Sequence, residues 1–331
     1  MYDNFMDLRE KIYRMFILGF EGEKITPNLL KALHNGLGGV IFFTRNINSE
    51  EQFKKLVQEI KKEAKYPLFL SIDQEGGRVE RTLNLYNGQK YLCAREAAKR
   101  GEDFVKKQTE NIAKELKSFG LNMNFAPVLD VDTNPDNPII AERSFSSDPT
   151  VVAKMGEICA KTYLENGIIP VGKHFPGHGD TAVDSHKEMP GLFTGMDELE
   201  RTHILPFKHL IECEIPALMA AHIHYSAFDE EKVPASVSKN VLSGYLRGIL
   251  GFRGLIISDD MVMGGIKCFS PLEACMKGIE AGINMFIYRD ADDKTMELIE
   301  NLVNPAQNGE IDAKKIDESV KIINKYRSGI A

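Results

Sequence analysis

The sequence predicts a single-domain (β/α)8 TIM barrel, and three observations carry this prediction. Eight short apolar runs alternate along the chain with longer amphipathic stretches. The runs are continuously apolar, which is typical of parallel strands buried on both faces. Polar residues recur where an apolar run ends, and in a barrel these ends form one face, where active sites lie. An open doubly wound sheet is the alternative topology.

The predicted strands and helices follow each other in a regular order. The strands are predicted at 15–19, 39–43, 68–72, 123–128, 167–171, 217–221, 255–257 and 283–287. Thr26 before Pro27 is typical of an N-cap and a first helical position. Ser49 and Gln52 have the spacing of a capping box, and Ser270 precedes another helix. Longer helices are predicted at 95–118, 149–166, 196–213, 292–303 and 312–327.

Composition indicates which binding partners and which cellular compartment to expect for this protein. The chain has 331 residues, 43% hydrophobic and 27% charged, and we expect residues 1–331 to form one domain. A net charge of −7 without a basic stripe argues against nucleic acid as a partner. There is no signal peptide pattern and no apolar run that predicts a membrane span. Five cysteines without a CxxC motif predict reduced thiols and a cytoplasmic protein, which we expect to be a monomer or weak oligomer.

The segment 173–186, KHFPGHGDTAVDSH, is the densest group of titratable residues in the chain. It directly follows the predicted strand at 167–171. Asp184 and His186 are two residues apart, so an extended backbone would place both side chains on the same side. A carboxylate hydrogen-bonded to the imidazole would fix its tautomer and raise its pKa, which suits a general acid near neutral pH.

A metal site is the alternative interpretation of this segment. Histidines and aspartates of this kind bind zinc or non-haem iron, and the candidate ligands are His174, His178, Asp180, Asp184 and His186. However, Pro176 and Gly177 interrupt the spacing between the first two histidines, so they cannot lie on one helical face. We expect no metal, and we expect His178 to be structural.

Other polar residues follow the predicted strands. Asp259 and Asp260 come after the strand at 255–257 and are candidates for a nucleophile or a metal-binding carboxylate, or for a helix cap or ion pair. Asp73 and Arg81 flank a glycine turn and either hold sugar hydroxyls or form an internal ion-pair network. His222, after the strand at 217–221, is equally compatible with a pocket and with the core.

Several motifs together resemble one enzyme family. The segment KHFPGHGDTAVDSH is similar to the pattern KH[F/I]PG[H/L]G followed four residues later by D[S/T]H. The stretches GGVIFFTRNI, SIDQEGGRVER, NFAPVLDVDTNPDNPII, ALMAAHIHYSAFD and GLIISDDM lie in the order expected for the same family. The chain therefore resembles the single-domain β-N-acetylglucosaminidases of glycoside hydrolase family 3, over nearly its whole length.

The resemblance implies a role for individual residues. Asp259 matches the nucleophile, and His186 matches the acid/base with Asp184 as its partner. The residues that match ligands of sugar hydroxyls are Asp73, Arg81, Arg143, Lys173 and His174. No cofactor is implied. Arg289, after the last strand, departs from the family pattern, in which we expect a smaller or uncharged residue.

The implied function is a retaining exo-β-N-acetylglucosaminidase that acts on a small carbohydrate, for which peptidoglycan fragments are the expected source. A histidine is neutral after it gives up its proton and repels phosphate less than a carboxylate does, so phosphate is a second candidate acceptor. The alternatives are a family 3 β-glucosidase, a GlcNAc phosphorylase, a metal-dependent hydrolase and a non-catalytic sugar-binding barrel.

Overall fold

The computed structural model describes residues 6–180 and 189–328 and confirms the predicted barrel. Eight parallel strands close into a barrel, and each strand pairs with its neighbours in chain order. The strands are β1 Phe16–Leu18, β2 Gly39–Phe42, β3 Phe69–Ile72, β4 Met123–Asn124, β5 Ile169–Phe175, β6 Ala217–Ala220, β7 Leu255–Asp260 and β8 Met285–Tyr288. A separate parallel pair joins Gly191–Leu192 to His224–Tyr225.

Helices connect the strands and surround the barrel. They are α1 Leu8–Arg14, α2 Pro27–His34, α3 Glu50–Glu63, α4 Ala94–Lys99, α5 Glu102–Ser118, α6 Pro149–Glu165, α7 Met196–Arg201, α8 Leu205–Glu212, α9 Pro271–Ala281, α10 Asp293–Asn301, α11 Val303–Gln307 and α12 Ala313–Ser328. A π-type helix spans Asn240–Ile249. Within the described ranges, no helix combines the length and the apolar character needed to cross a membrane.

The strand interiors are buried because both sheet faces are covered. All residues of β1, β2, β3, β6 and β8 are buried, as the continuous apolar runs predict. The core includes tilted and edge-on aromatic pairs such as Phe42 with Phe53, whose ring centroids lie 5.1 Å apart. This packing fixes the strand ends, and therefore the polar residues that follow them.

Two predicted helices are each divided in two. The helix predicted at 95–118 is broken at Gly101, whose φ of +96° is left-handed and incompatible with helix continuation. The helix predicted at 196–213 is interrupted before Pro206, because a proline has no N–H to donate and its ring collides with the carbonyl four residues earlier. The helix predicted at 292–303 is present as Asp293–Asn301.

The boundaries of β4 and β5 also differ from the prediction. β4 ends at Asn124, before Pro127, which cannot donate to the sheet. β5 continues to Phe175, so Lys173 and His174 belong to the strand rather than following it. The predicted caps at Thr26 and Ser270 are present. Ser49 accepts from the Gln52 N–H, but the Gln52 side chain bonds the N–H of Asn48 instead of completing the box.

Candidate active site

A cavity of about 320 Å³ lies at the face formed by the carboxyl ends of the strands. Its volume is at the lower end of the roughly 300–1,000 Å³ typical of small-molecule sites. Six predicted site residues line it together: Asp73, Arg81, Arg143, Lys173, His174 and Asp259. The predicted acid/base pair, Asp184 and His186, lies outside the described residues, so its placement stays a prediction.

Lys173 is a buried cation held between two carboxylates. Its Nζ lies 2.8 Å from Oδ1 of Asp73 and 2.6 Å from Oε1 of Glu75, and only 2% of the residue is exposed. Burial alone would lower the pKa of Lys173, but the two carboxylates outweigh it and raise the pKa. In the same way, Lys173 and then Arg81 outweigh burial and hold the pKa of Asp73 below its usual value. The three groups therefore stay charged.

Glu75 joins Lys173 to Arg143. Nε and Nη2 of Arg143 donate to the two Glu75 oxygens at 2.8 and 2.9 Å, which is a bidentate pair. Burial opposes ionisation of Glu75, but Arg143 and Lys173 hold the pKa of Glu75 below its ordinary value. Glu75 is not among the individual site residues predicted from the sequence. The signal was available, since a Glu two residues after the strand-end Asp73 extends toward the same face.

Arg81 completes this side of the cavity. Its Nη2 lies 3.4 Å from Oδ2 of Asp73, and its guanidinium lies 5.5 Å from the centroid of the Phe43 ring. The buried Nε of Arg81 has no hydrogen-bond partner within the described part of the chain. A buried N–H that is left for a ligand is consistent with the predicted role in holding a sugar hydroxyl.

Asp130 orients His174 from behind. Its Oδ2 lies 2.7 Å from Nδ1 of His174, and its Oδ1 accepts the backbone N–H groups of His174 and His178 at 3.2 and 2.7 Å. A carboxylate at Nδ1 makes that nitrogen the donor, which leaves Nε2 of His174 for the cavity. Asp130 is not among the site residues predicted from the sequence. The signal for it is an aspartate within the apolar run Val128–Val131, where a buried charge needs a partner.

Asp259 lies on the opposite side, at the end of β7. Its Oδ1 accepts the backbone N–H of Asp260 at 2.8 Å. No lysine or arginine of the described ranges makes an ion pair with it. Burial would raise the pKa of Asp259, but nearby His174, the Asp260 N–H and Lys173 together lower it. Asp259 is therefore ionised, fixed at one oxygen and not covered by a cation.

Asp260 and Arg289 form an ion pair beside Asp259. Nε of Arg289 donates to Oδ2 of Asp260, and Oδ1 of Asp260 accepts the Val262 N–H at 3.2 Å. Burial raises the pKa of Asp260 even though Arg289 opposes this shift. Both residues line the cavity. Arg289, which the resemblance predicts to depart from the family pattern, therefore lines the cavity.

His222 is a core residue that supports the end of β7. It is 1% exposed, and its Nε2 lies 3.2 Å from the carbonyl oxygen of Asp260, so Nε2 must carry the proton. Nδ1 then accepts from the Ser236 hydroxyl at 2.7 Å. Burial lowers the pKa of His222, which agrees with this neutral form. The question that the sequence left open is resolved in favour of the core.

Tyr225 contacts the chain both before and after residues 181–188. Its hydroxyl donates to the carbonyl oxygen of Gly177, and its backbone pairs with Leu192. Asn137 further holds the carbonyl oxygens of His178 and Gly179 at 2.8 and 3.1 Å. His178 itself lines the cavity, and burial lowers its pKa to about 4. The residues that precede and follow the segment with the predicted acid/base are therefore held in place by these contacts.

The cavity contains no cluster of metal-ligand atoms among the described residues. Three donor atoms within 4.8 Å of each other occur instead at Glu157, His209 and Cys213, on α6 and at the end of α8. There Glu157 is also bonded by His209 at 2.9 Å and by Lys161, so an ordinary ion-pair network accounts for the group. His174 and His178 are held through Asp130, as described above.

Comparison with known proteins gives a consistent result. Residues 7–325 match the family model described as the glycosyl hydrolase family 3 N terminal domain. A protein named beta-hexosaminidase A from Pseudoalteromonas piscicida is 35% identical over 324 residues, covering 88% of this chain but 53% of that protein. A beta-hexosaminidase from Tolumonas auensis is 34% identical over 275 residues, covering 82% of this chain and 81% of that protein.

A solved structure agrees in fold and sequence. A glycoside hydrolase family 3 beta-N-acetylglucosaminidase from Paenibacillus sp. str. FPU-7 superposes with a TM-score of 0.93 at 32% identity. The match covers 98% of this chain and 63% of that one. The matched region therefore covers 53% and 63% of the length of these two longer relatives, and 81% of the length of the Tolumonas protein.

Proposed function

The chain belongs to glycoside hydrolase family 3, and from this premise we propose that it is a retaining exo-β-N-acetylglucosaminidase. The enzyme would remove a terminal non-reducing GlcNAc from a small carbohydrate. The names of the relatives support the sugar, and the charged cavity supports a polar ligand of that size. Fragments of peptidoglycan are the proposed natural substrates.

The state of Asp259 is the observation that carries the proposal. A retaining glycosidase needs a carboxylate that attacks the anomeric carbon and forms a covalent glycosyl-enzyme. Asp259 is ionised, lines the cavity and is bound by one backbone N–H rather than by a neutralising cation. Its Oδ2 is therefore the proposed attacking atom.

The acid/base role is assigned to His186, with Asp184 as its partner. This assignment rests on the sequence motif, since both residues lie outside the described ranges. His186 would protonate the departing oxygen in the first step and then remove a proton from the incoming water. Asp184 would fix the tautomer of the imidazole and stabilise its charged form.

The opposite side of the cavity is proposed to hold the sugar hydroxyls. Asp73 offers carboxylate acceptors, and Lys173 and Arg81 offer donors that are already fixed by ion pairs. His174 presents Nε2 because Asp130 holds its Nδ1. Arg143 uses three of its five N–H groups on Glu75 and the Ile139 carbonyl, which leaves two for a ligand.

The proposed compartment is the cytoplasm, where reducing conditions preserve free thiols. All five cysteines are free: Cys93, Cys159, Cys213, Cys268 and Cys275.

The second candidate activity is phosphorolysis, in which phosphate replaces water as the acceptor. It is favoured by a histidine in the acid/base role, because that residue is neutral when the acceptor enters.

One assay separates these functions: a set of aryl β-glycosides is offered to the wild type and to Asp259→Ala, with and without phosphate and a chelator. We expect release from aryl β-GlcNAc by the wild type only, with the β anomer as the first product. A control variant, Asp317→Asn, removes an exposed carboxylate paired with Lys11 and should behave as wild type.

Each other result identifies an alternative. Preference for the aryl glucoside indicates a β-glucosidase, and sugar 1-phosphate indicates a phosphorylase. Loss of activity in chelator indicates a metal-dependent hydrolase, and no turnover at all indicates a binding protein.

For the proposed acid role, His186→Ala should lose less activity on a substrate with a good leaving group than on one with a poor leaving group. Equal losses would contradict that role.

A further inference from the structure

Arg289 is a cation in the cavity that the proposed mechanism does not use. It follows β8 directly and lines the cavity together with Asp259 and Asp260. Its side chain is 43% exposed, whereas those of Lys173 and Arg143 are 2% and 11% exposed. It is therefore accessible to a ligand from the side where the nucleophile is proposed to attack.

The position of Arg289 is fixed from three directions. Its Nε is bonded to Asp260, as described above. Its carbonyl oxygen accepts from Nη2 of Arg45 at 2.6 Å, and Arg45 also pairs with Asp290. Gly19 lies so close that a Cβ there would be 2.2 Å from the same carbonyl oxygen. The contacts with Arg45 and Gly19 fix the backbone of Arg289, and the bond to Asp260 restricts its guanidinium, which reduces the conformational freedom lost on binding.

Arg289 also retains unused donors. In the described part of the chain, neither Nη of Arg289 has a hydrogen-bond partner, because its ion pair with Asp260 uses Nε alone. Arg143, by contrast, has bonds on all three of its nitrogens. Up to four N–H groups of Arg289 are therefore left for a ligand.

The geometry of a sugar ring limits what these donors can reach. The nucleophile attacks C1, and the substituent on C2 is one bond further along the ring. Asp259, Asp260 and Arg289 line the same cavity, and Arg289 is bonded to Asp260, so a sugar whose C1 lies at Asp259 brings its C2 substituent into the cavity that Arg289 lines. Given the proposed function, on which this step rests, we propose that Arg289 determines specificity by donating to the carbonyl oxygen of the 2-acetamido group.

The charges around Arg289 favour a neutral acceptor over an anion. Asp260 already balances the guanidinium, and Asp259 is a second carboxylate nearby. An anionic substituent would face both carboxylates, whereas an amide oxygen accepts from the guanidinium without adding charge. A site that hydrogen-bonds a substituent rejects the analogue that lacks it, because the donors are then left unpaired.

The test is a cycle of two enzymes and two substrates. Arg289→Met keeps an unbranched side chain of similar length and removes the donors. Wild type and variant are compared on aryl β-GlcNAc and aryl β-glucoside with the same leaving group. We expect the ratio of the two kcat/KM values to fall about ten- to a hundredfold in the variant, through loss on the GlcNAc substrate alone.

Two further measurements keep the result interpretable. If the glucoside reacts too slowly, inhibition constants of free GlcNAc and free glucose give the same ratio. Thermal unfolding reports whether Arg289→Met is folded, and Arg289→Lys should recover part of the ratio because it restores a donor. A loss of equal size on both sugars, or an unchanged ratio in a folded variant, overturns the proposal. Wild type without turnover of aryl β-GlcNAc instead contradicts the proposed function itself.

Discussion

The two sides of the cavity handle charge in opposite ways. On the binding side, formed by Asp73, Glu75, Arg143 and Lys173, every charge has an oppositely charged partner within 3 Å. On the side proposed to react, Asp259 has a backbone N–H as its only hydrogen-bond partner among the described residues. Mutual pairing makes the binding side rigid but unreactive, whereas Asp259 keeps an oxygen available for attack. This difference agrees with the proposed roles, in which the paired residues hold a ligand and Asp259 reacts with it.

The largest expected effect comes from neutralising one carboxylate on each side. Asp259→Asn should lower kcat/KM by about 10⁴-fold or more, since the nucleophile is lost. It should change the free energy of unfolding by less than about 1 kcal/mol, because no charged partner is left behind. Asp73→Asn should lower stability, because it leaves Lys173 with one carboxylate. Turnover of aryl β-GlcNAc measures the loss of kcat/KM, and denaturant unfolding measures the loss of stability. A greater destabilisation by Asp259→Asn than by Asp73→Asn would contradict the difference between the two sides of the cavity.

The next effect tests whether the binding side depends on its pairing. Glu75→Gln removes the charge shared by Lys173 and Arg143, and we expect about 3–5 kcal/mol of destabilisation in denaturant unfolding. The matched control is Asp317→Asn, whose carboxylate is 57% exposed and should contribute less than about 1 kcal/mol. Similar values for the two variants would show that buried pairing does not stabilise this side.

The smallest effect concerns pH and His178, which adjoins the binding side. Its pKa falls from 6.5 to about 4 on folding, so the unfolded state binds more protons between these values. The contribution of neutral His178 to the free energy of unfolding is therefore fully present above pH 6.5 and is lost as the pH falls toward 4. We expect a loss of about 2 kcal/mol by pH 5. His178→Asn should remove this pH dependence from the unfolding free energy, and exposed His34→Asn should leave it unchanged.

The sequence was sufficient for the barrel because eight buried parallel strands leave a strong pattern of apolar runs. It also located six of the site residues on one face, since strand ends converge there. The helix break before Pro206 was missed, although a proline inside a predicted helix indicates an interruption. The proline signal was present in the sequence.

The supporting carboxylates were harder to predict. Glu75 and Asp130 act through other residues, and their partners Arg143 and His174 are distant in the chain. Such contacts depend on how two loops meet, which local patterns do not record. The environment of His222 was undecided for the same reason, since Ser236 and the Asp260 carbonyl reach it from two other loops.

Tyr225 has a consequence for how this barrel can diversify. It bonds Gly177 before the segment 181–188 and pairs with Leu192 after it, so one residue fixes both points where that segment joins the fold. Substitutions between those points can change the acid/base residues while the attachment to the barrel is conserved. The proposed proton donor can therefore be exchanged by substitutions within 181–188 that leave the proposed nucleophile and sugar-binding residues unchanged.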